Sequence, residues 1–182
     1  MTDLNQYSGT WTLDPAHTRI GFSARHAMVT KVRGSFTDFT GSLTLDAANP
    51  ANSKATLTAQ LASVDTGSPD RDAHLVSADF FDVANFPAMT FESTTVKQTD
   101  DDEFVLVGEL TIKDVTRPVE IEVELDGVVT DPFGNIRAGF EGEAEISRKD
   151  FGLTWNVALD AGGVLVSDKI KIQLDVSATK VA

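Results

Sequence analysis

Asp70, Arg71, Asp72 and His74 fall within five positions of each other, in the stretch TGSPDRDAHLVSADFFD. Two carboxylates and an imidazole could hold a metal ion. Their spacing argues against it: on a helix, residues two apart diverge, and only Asp70 and His74 share a face. Metal sites also need more convergent donors and supporting hydrogen bonds. A catalytic site needs a nucleophile or an acid–base pair aimed at one reacting atom. No nucleophile elbow, phosphate loop or zinc-protease helix occurs in the chain. The sequence therefore assigns no catalytic residue, no metal and no cofactor. An enzyme acting on a hydrophobic substrate, with His26 as acid or base, stands as the alternative. The preferred reading is a capped helical connection. Ser68 caps it, Pro69 takes the first helical position, and Asp70 and Asp72 suit a helix N-terminus. Arg71, Asp72 and His74 are expected to tie this segment to the rest of the fold by charged hydrogen bonds. Phe80 and Phe81 are expected to fold inward.

Two other imidazoles need placing. In IGFSARHAM, residues Ile20, Phe22, Ala24, His26 and Met28 share one parity. An unbulged strand points His26 inward beside Phe22 and sends Arg25 to the opposite face. A buried imidazole needs a hydrogen-bond partner, which is either a protein group or a ligand head group. His17, in LDPAHT, is expected at a turn, with a hydrogen bond that fixes the first strand.

The elements that must position these groups are written in twos. VEIEVEL sets Val119, Ile121, Val123 and Leu125 against Glu120, Glu122 and Glu124. FEGEAEI, IKIQLDV, FVLVGELTI and ATLTAQLASV repeat the pattern. Such alternation marks strands with one wet face, hence antiparallel pairing. DAANPANS, TDDDE, DVTRP and TDPFGN read as turns between them. About eight antiparallel strands in series, with one short helical connection, are expected to hide their edges by closing into a barrel. A two-sheet sandwich is the second choice. A barrel of that size is either filled by side chains or holds one small ligand.

Phenylalanine decides what the interior offers. There are 11 Phe against one Tyr and two Trp, so the aromatic surface is almost wholly apolar. Phe22, Phe91, Phe104 and Phe140 lie on the apolar parity of strands. Phe36, Phe39, Phe80, Phe81 and Phe86 flank turns. Rings of this kind either pack a core or line a tunnel. Met28 and Met89 suit an irregular apolar ligand as well as an ordinary core gap.

Composition bounds the partners. A net charge of −13 argues against nucleic acid, which needs its phosphates neutralised, and disfavours electrostatic attraction to an anionic membrane. The chain has no cysteine, so disulfide and thiolate chemistry are absent. No apolar run approaches the ~20 residues of a membrane helix. The start, MTDLNQYSGTWTLD, has no secretory pattern, so a cytoplasmic protein is expected. At 182 residues, one domain spanning positions 1–182 is expected.

Four ordered blocks carry a resemblance. WTLDPAHTRIGFSARHAMVTKVRGSFTDFTGSLTLD, SVDTGSPDRDAHLVSADFFDVANFPAMTFEST, GELTIKDVTRPVEIEVEL and ISRKDFGLTWN resemble the YceI-like family of bacterial polyisoprenoid-binding, lipocalin-like proteins. The likeness runs from about residue 11 to 176. It implies a lipocalin-like antiparallel barrel with an internal apolar tunnel, and a polyisoprenoid or other long amphiphile as ligand, such as an isoprenoid quinone or its precursor. Carriage, storage or sensing is the implied role. Family members are often exported, and the start of this chain departs from that pattern. Taken with the residues above, it makes Phe22, Phe36, Phe39, Phe80, Phe81, Phe86, Phe91, Phe104, Phe140, Met28 and Met89 the expected tail contacts. Arg25, His26 and Arg71 are the expected head contacts. An exposed barrel strand would support a homodimer.

Overall fold

The computed structural model describes residues 4–160 and 162–181. Eleven strands form one antiparallel sheet: β1 (Gly9–Leu13), β2 (Arg19–His26), β3 (Thr30–Phe36), β4 (Phe39–Leu45), β5 (Lys54–Gln60), β6 (Val64–Asp65), β7 (Ala88–Gln98), β8 (Glu103–Ile112), β9 (Val115–Thr130), β10 (Ile136–Ser147) and β11 (Lys169–Lys180). Eight of them close a circuit, in the order β1-β4-β5-β7-β8-β9-β10-β11 and back to β1. The closing seam is short, pairing Trp11, Thr12 and Leu13 with Lys180, Thr179 and Ala178.

The other three strands complete rows already in the circuit. β1 and β2 lie end to end along β11, β4 and β3 continue one another beside them, and β5 and β6 do the same. The three breaks, at residues 14–18, 37–38 and 61–63, therefore line up as a crease across the wall. Backbone groups released there are recovered by hydroxyls, as buried polar groups must be. The Ser63 hydroxyl accepts from Thr37 N and Asp38 N at 3.1 and 3.0 Å. Thr18 Oγ1 accepts from Ser177 N and donates to Ser177 O, both at 3.1 Å. At the same crease His17 Nδ1 lies 2.8 Å from Asp14 Oδ2, the bond expected of the first turn.

The DVTRP stretch departs from expectation. The turn is confined to Lys113 and Asp114, with φ of 52° and 64°, and Val115 already begins β9. Pro118 is tolerated inside that strand because β10 pairs with β9 only from Glu122 onward, so no partner awaits the missing N–H. Helix α1 (Pro69–Val76) has Ser68 as its cap and Pro69 at its start, as its sequence predicts. It is shorter than the full PDRDAHLVSADFFD stretch. The Ser77 hydroxyl takes the His74 carbonyl at 2.6 Å and Phe81 N takes that of Leu75 at 2.9 Å, which ends the helix.

The core gathers at three levels. Trp11, Ala138 and Ala178 fill the end near both termini, where Trp11 Nε1 donates to Tyr7 O at 3.0 Å. Ile20, Phe36, Phe39, Ala59, Leu61 and Val64 pack around the crease. Phe80, Phe91, Leu110, Val119, Ile121 and Phe151 pack toward α1. Among the described residues, no helix is long and apolar enough to cross a membrane.

Candidate ligand-binding cavity

The inward parity of the strands does not fill the barrel. A cavity of about 720 Å³ runs through it, within the range of about 300–1,000 Å³ usual for ligand pockets. Its middle is apolar: Ile20, Leu57, Leu106, Ile121, Ile172 and Leu174 supply aliphatic wall. The rings stay against the wall because glycine faces them. A Cβ on Gly34 would meet the Phe22 ring, and one on Gly108 would meet the Phe91 ring. Small residues opposite large ones thus leave the axis open.

Eleven of the fourteen expected contact positions border this cavity: Phe22, Phe36, Phe80, Phe81, Met89, Phe91, Phe104 and Phe140, with Arg25, His26 and Arg71. Three do not. Met28 is 59% exposed at the tip of the β2–β3 hairpin. Parity could not be carried past His26, because Ala27 and Met28 adopt φ of 51° and 68° and leave the strand. Phe39 opens β4 and is buried in the wall with Ala59 and Leu61. Phe86 sits half-buried in the turn after α1, its N–H held by Asp82 O at 2.9 Å.

Arg25, His26 and Arg71 border the cavity at the α1 end, while Ser53, Lys54, Thr56 and Glu141 border it elsewhere. His26 has the inward parity but, as the last residue of β2, it is exposed and needs no buried partner. Arg25 borders the cavity although its parity faces away. Its backbone is anchored by Ser167, whose hydroxyl takes Arg25 N at 2.9 Å and whose N–H reaches Arg25 O at 3.0 Å. Arg71 donates from Nε and Nη2 to Thr66 Oγ1 and Thr66 O, each at 2.7 Å. Asp72 Oδ1 accepts from Thr66 N and Thr66 Oγ1 at 2.9 and 2.6 Å. His74 Nε2 lies 2.9 Å from Asp79 Oδ2. Arg71 and Asp72 thus tie the helix to the residue that directly follows β6 in the sheet, as expected, whereas His74 bonds only within its own segment. Its contact with the rest of the fold is made by rings instead, with His74 edge-on to Trp155 at 4.6 Å and to Phe80 at 5.0 Å.

Arg148 is the residue that sequence reasoning passed over. It is 4% exposed and borders the cavity. Its guanidinium meets no carboxylate. Instead Nε donates to Ser167 O at 2.9 Å, Nη1 to Leu153 O and Trp155 O at 2.7 and 2.9 Å, and Nη2 to Val166 O at 3.3 Å. Burial pushes its pKa down, and the nearby Asp168 charge opposes that. Asp168 is itself held below the usual carboxylate range, first by the Ser147 hydroxyl at 2.7 Å. A signal was present: Phe140, Gly142, Ala144 and Ile146 alternate inward, and the next inward place is Arg148.

The geometry suits binding of an elongated apolar molecule with a small polar end. Among the described residues no three His, Asp or Glu side chains gather for a metal ion. Among the described residues, neither His26 nor His74 is hydrogen-bonded to a hydroxyl that could attack a substrate.

Comparison with known proteins bears on this cavity. A family model described as the YceI-like domain matches residues 11–178. The Protein YceI of Escherichia coli O157:H7 is 44% identical over 146 residues, which is 80% of this chain and 74% of that protein. The crystal structure of the Campylobacter jejuni YCEI protein is 31% identical with a TM-score of 0.75, covering 93% of this chain and 97% of its own. A polyisoprenoid binding domain from Saccharophagus degradans shares the fold at 14% identity, with a TM-score of 0.72 over 94% of this chain and 98% of its own. A match through nearly all of the strands, at such identity to relatives bearing the family's name, makes this chain a member of the YceI-like family.

Proposed function

We propose that the protein binds a polyisoprenoid or an isoprenoid-tailed amphiphile, with the tail inside the barrel and the head at the rim formed by Arg25, His26 and Arg71. The observation that carries this reading is the open apolar cavity of about 720 Å³, with Arg25, His26 and Arg71 gathered on its border at the α1 end. Burial stabilises a tail by about 0.8 kcal/mol per CH₂ group, so a long chain binds firmly with few polar contacts. The shared fold of the polyisoprenoid binding domain supports the reading. The role is carriage, storage or sensing, without turnover.

Organic extraction of the purified protein, followed by mass spectrometry, tests it. A stoichiometric isoprenoid lipid is expected. Ala144→Trp, which puts an indole into the barrel beside Ile172, should expel it. A protein that holds no such lipid, even after incubation with prenylated quinone, refutes the reading. Conversion of the lipid that stops in His26→Ala would replace binding by catalysis.

A further inference from the structure

The β2–β3 hairpin breaks the chemistry of its own turn. Ala27 and Met28 occupy the left-handed region, at φ of 51° and 68°, where Asn, Asp and Gly are favoured. Beyond them Met28 and Val29 are 59% and 76% exposed. A polar tip would have been easier to form and to keep in water. The apolar exposure also extends sideways. Ala27 N donates to Leu165 O at 2.7 Å, and His26 bridges to Val166, which brings the 157–166 segment alongside. That segment adds Val157 and Val164, both exposed, and its Gly163 lies against the Met28 side chain. Four of the seven large apolar side chains exposed among the described residues therefore meet at one corner.

Charge is sorted in the same way. On the outer face of the strands leading to this corner, Arg25 pairs across with Lys31, and Arg33 with Ser23, whose other neighbour is Lys171. All four cations are exposed, and none forms an ion pair among the described residues. The carboxylates nearby are few. Glu145 stands opposite Lys171 and 3.7 Å from Lys169, Asp160 belongs to the adjoining loop, Asp168 follows the Ser167 that holds Arg25 and is bonded to Ser147, and Asp70 borders the cavity with Arg25. The acid of this chain is concentrated elsewhere, in a row across four strands made by Glu103, Glu124, Glu141 and Asp175. Asp175 lies four residues beyond Lys171, about 13 Å along the strand. That exceeds the Debye length of about 8 Å at physiological salt, so at contact the cations act before the acidic wall is felt. The net charge of −13 therefore does not describe this surface. Arg25, His26, Leu165 and Val166 also border the cavity, so the corner is part of its rim.

We infer that this corner docks on a bilayer surface carrying anionic phospholipid. Met28, Val29, Val157 and Val164 enter the interfacial layer, and Arg25, Lys31, Arg33 and Lys171 meet the head groups. The cavity rim is then held against the lipid from which a ligand would be drawn. In that purpose the inference rests on the lipid-binding reading, but its test does not.

Flotation of the full chain with vesicles of phosphatidylcholine, alone and with phosphatidylserine added, measures the docking. Wild type is expected to float only with the anionic vesicles, and less as salt rises. Lys31→Gln with Arg33→Gln should lower partitioning about tenfold or more. Ala27→Asn with Met28→Gly and Val29→Thr should lower it similarly while giving the turn its preferred residues, so these variants fold at least as well as wild type. Retained thermal stability and retained extractable lipid in the same samples separate a docking defect from a damaged barrel. A wild type that floats with neither vesicle overturns the inference and leaves the patch to a protein partner. Folded tip variants that float like wild type also overturn it. An empty cavity in a protein that still floats would fail only the lipid-binding reading.

Discussion

Replacing Arg148 with methionine removes a buried cation and keeps most of its volume. The carbonyls of Leu153, Trp155 and Ser167 then lose this donor, and that of Val166 keeps only Asn156 Nδ2 at 2.8 Å. Each hydrogen bond to a charged group is worth about 1.5–3 kcal/mol, and a buried acceptor left alone costs about 1–3 kcal/mol. These do not add in full, because the 148–168 segment is next to solvent and water will reach some of the carbonyls. The removed guanidinium also had its own desolvation cost. A net loss of about 3–5 kcal/mol follows, the size seen when one member of a buried charged network is deleted. At about 2–4 °C per kcal/mol for a chain of this length, Tm should fall by about 6–20 °C. Urea unfolding gives the free energy, and hydrogen exchange locates it. Amides of residues 153–167 should lose protection before those of β8 and β9. Arg148→Lys keeps the charge but has fewer donors in a different geometry, and should recover only part of the loss. A cost below about 1 kcal/mol for Arg148→Met would refute the claim that this side chain organises the segment.

Phe104 and Phe140 border both the large cavity and a second one of about 110 Å³ near Trp11 and Tyr7. Replacing both with alanine should join the two spaces and move the preferred isoprenoid to a longer chain, read by competition among prenyl quinones of graded length. An unchanged preference would show that the tail stops short of this floor. A pH series tests the electrostatics. Glu141 is raised above the usual carboxylate range, first by the charge of Asp126 and then by burial, Asp175, Glu124 and Glu143. Its contribution to stability is full below its ordinary pKa and is lost as pH rises through the raised value. Asp131 is lowered to about 2, first by the Arg137 guanidinium 2.7 Å away, so its contribution is present above its ordinary pKa and is lost as pH falls toward 2. Stability in urea should therefore pass through a maximum in mildly acidic solution. Glu141→Gln should raise stability at neutral pH and remove the acid-side gain, and a variant with the wild-type profile would contradict this account.

Much of this architecture is legible without coordinates because a period of two is a strong signal. VEIEVEL and IKIQLDV each place their apolar side chains on the inner face, and the helix cap at Ser68 follows from turn chemistry alone. Parity failed where the backbone left the strand. It put Met28 inside because nothing in the sequence announces two residues with positive φ at Ala27 and Met28. It also hid the crease: the turn at LDPAHT is legible, but not that β1 and β2 lie end to end along β11 on either side of it. The candidate site was half legible. Apolar wall residues follow from parity, whereas the partners of Arg71 and Arg148 depend on which carbonyls the chain brings near. Arg148 illustrates the cost of judging by residue type. A charged side chain at an inward place was easy to read as the end of the strand, and it is instead a hub of the segment beyond.

The closing seam has a further consequence for handling the molecule. β1 and β2 run the same way along β11, so Gly9 and His26 stand at opposite ends of the barrel. Lys180, which ends β11, pairs with Trp11, and its Nζ reaches Gln6 O at 2.8 Å. Both ends of the described chain therefore emerge together, on the side away from the cavity rim. A linker, dye or solid support attached beside Tyr7 or Val181 would display every molecule with its rim outward. An immobilised layer of this protein would consequently be oriented by design, with each barrel open to whatever flows past.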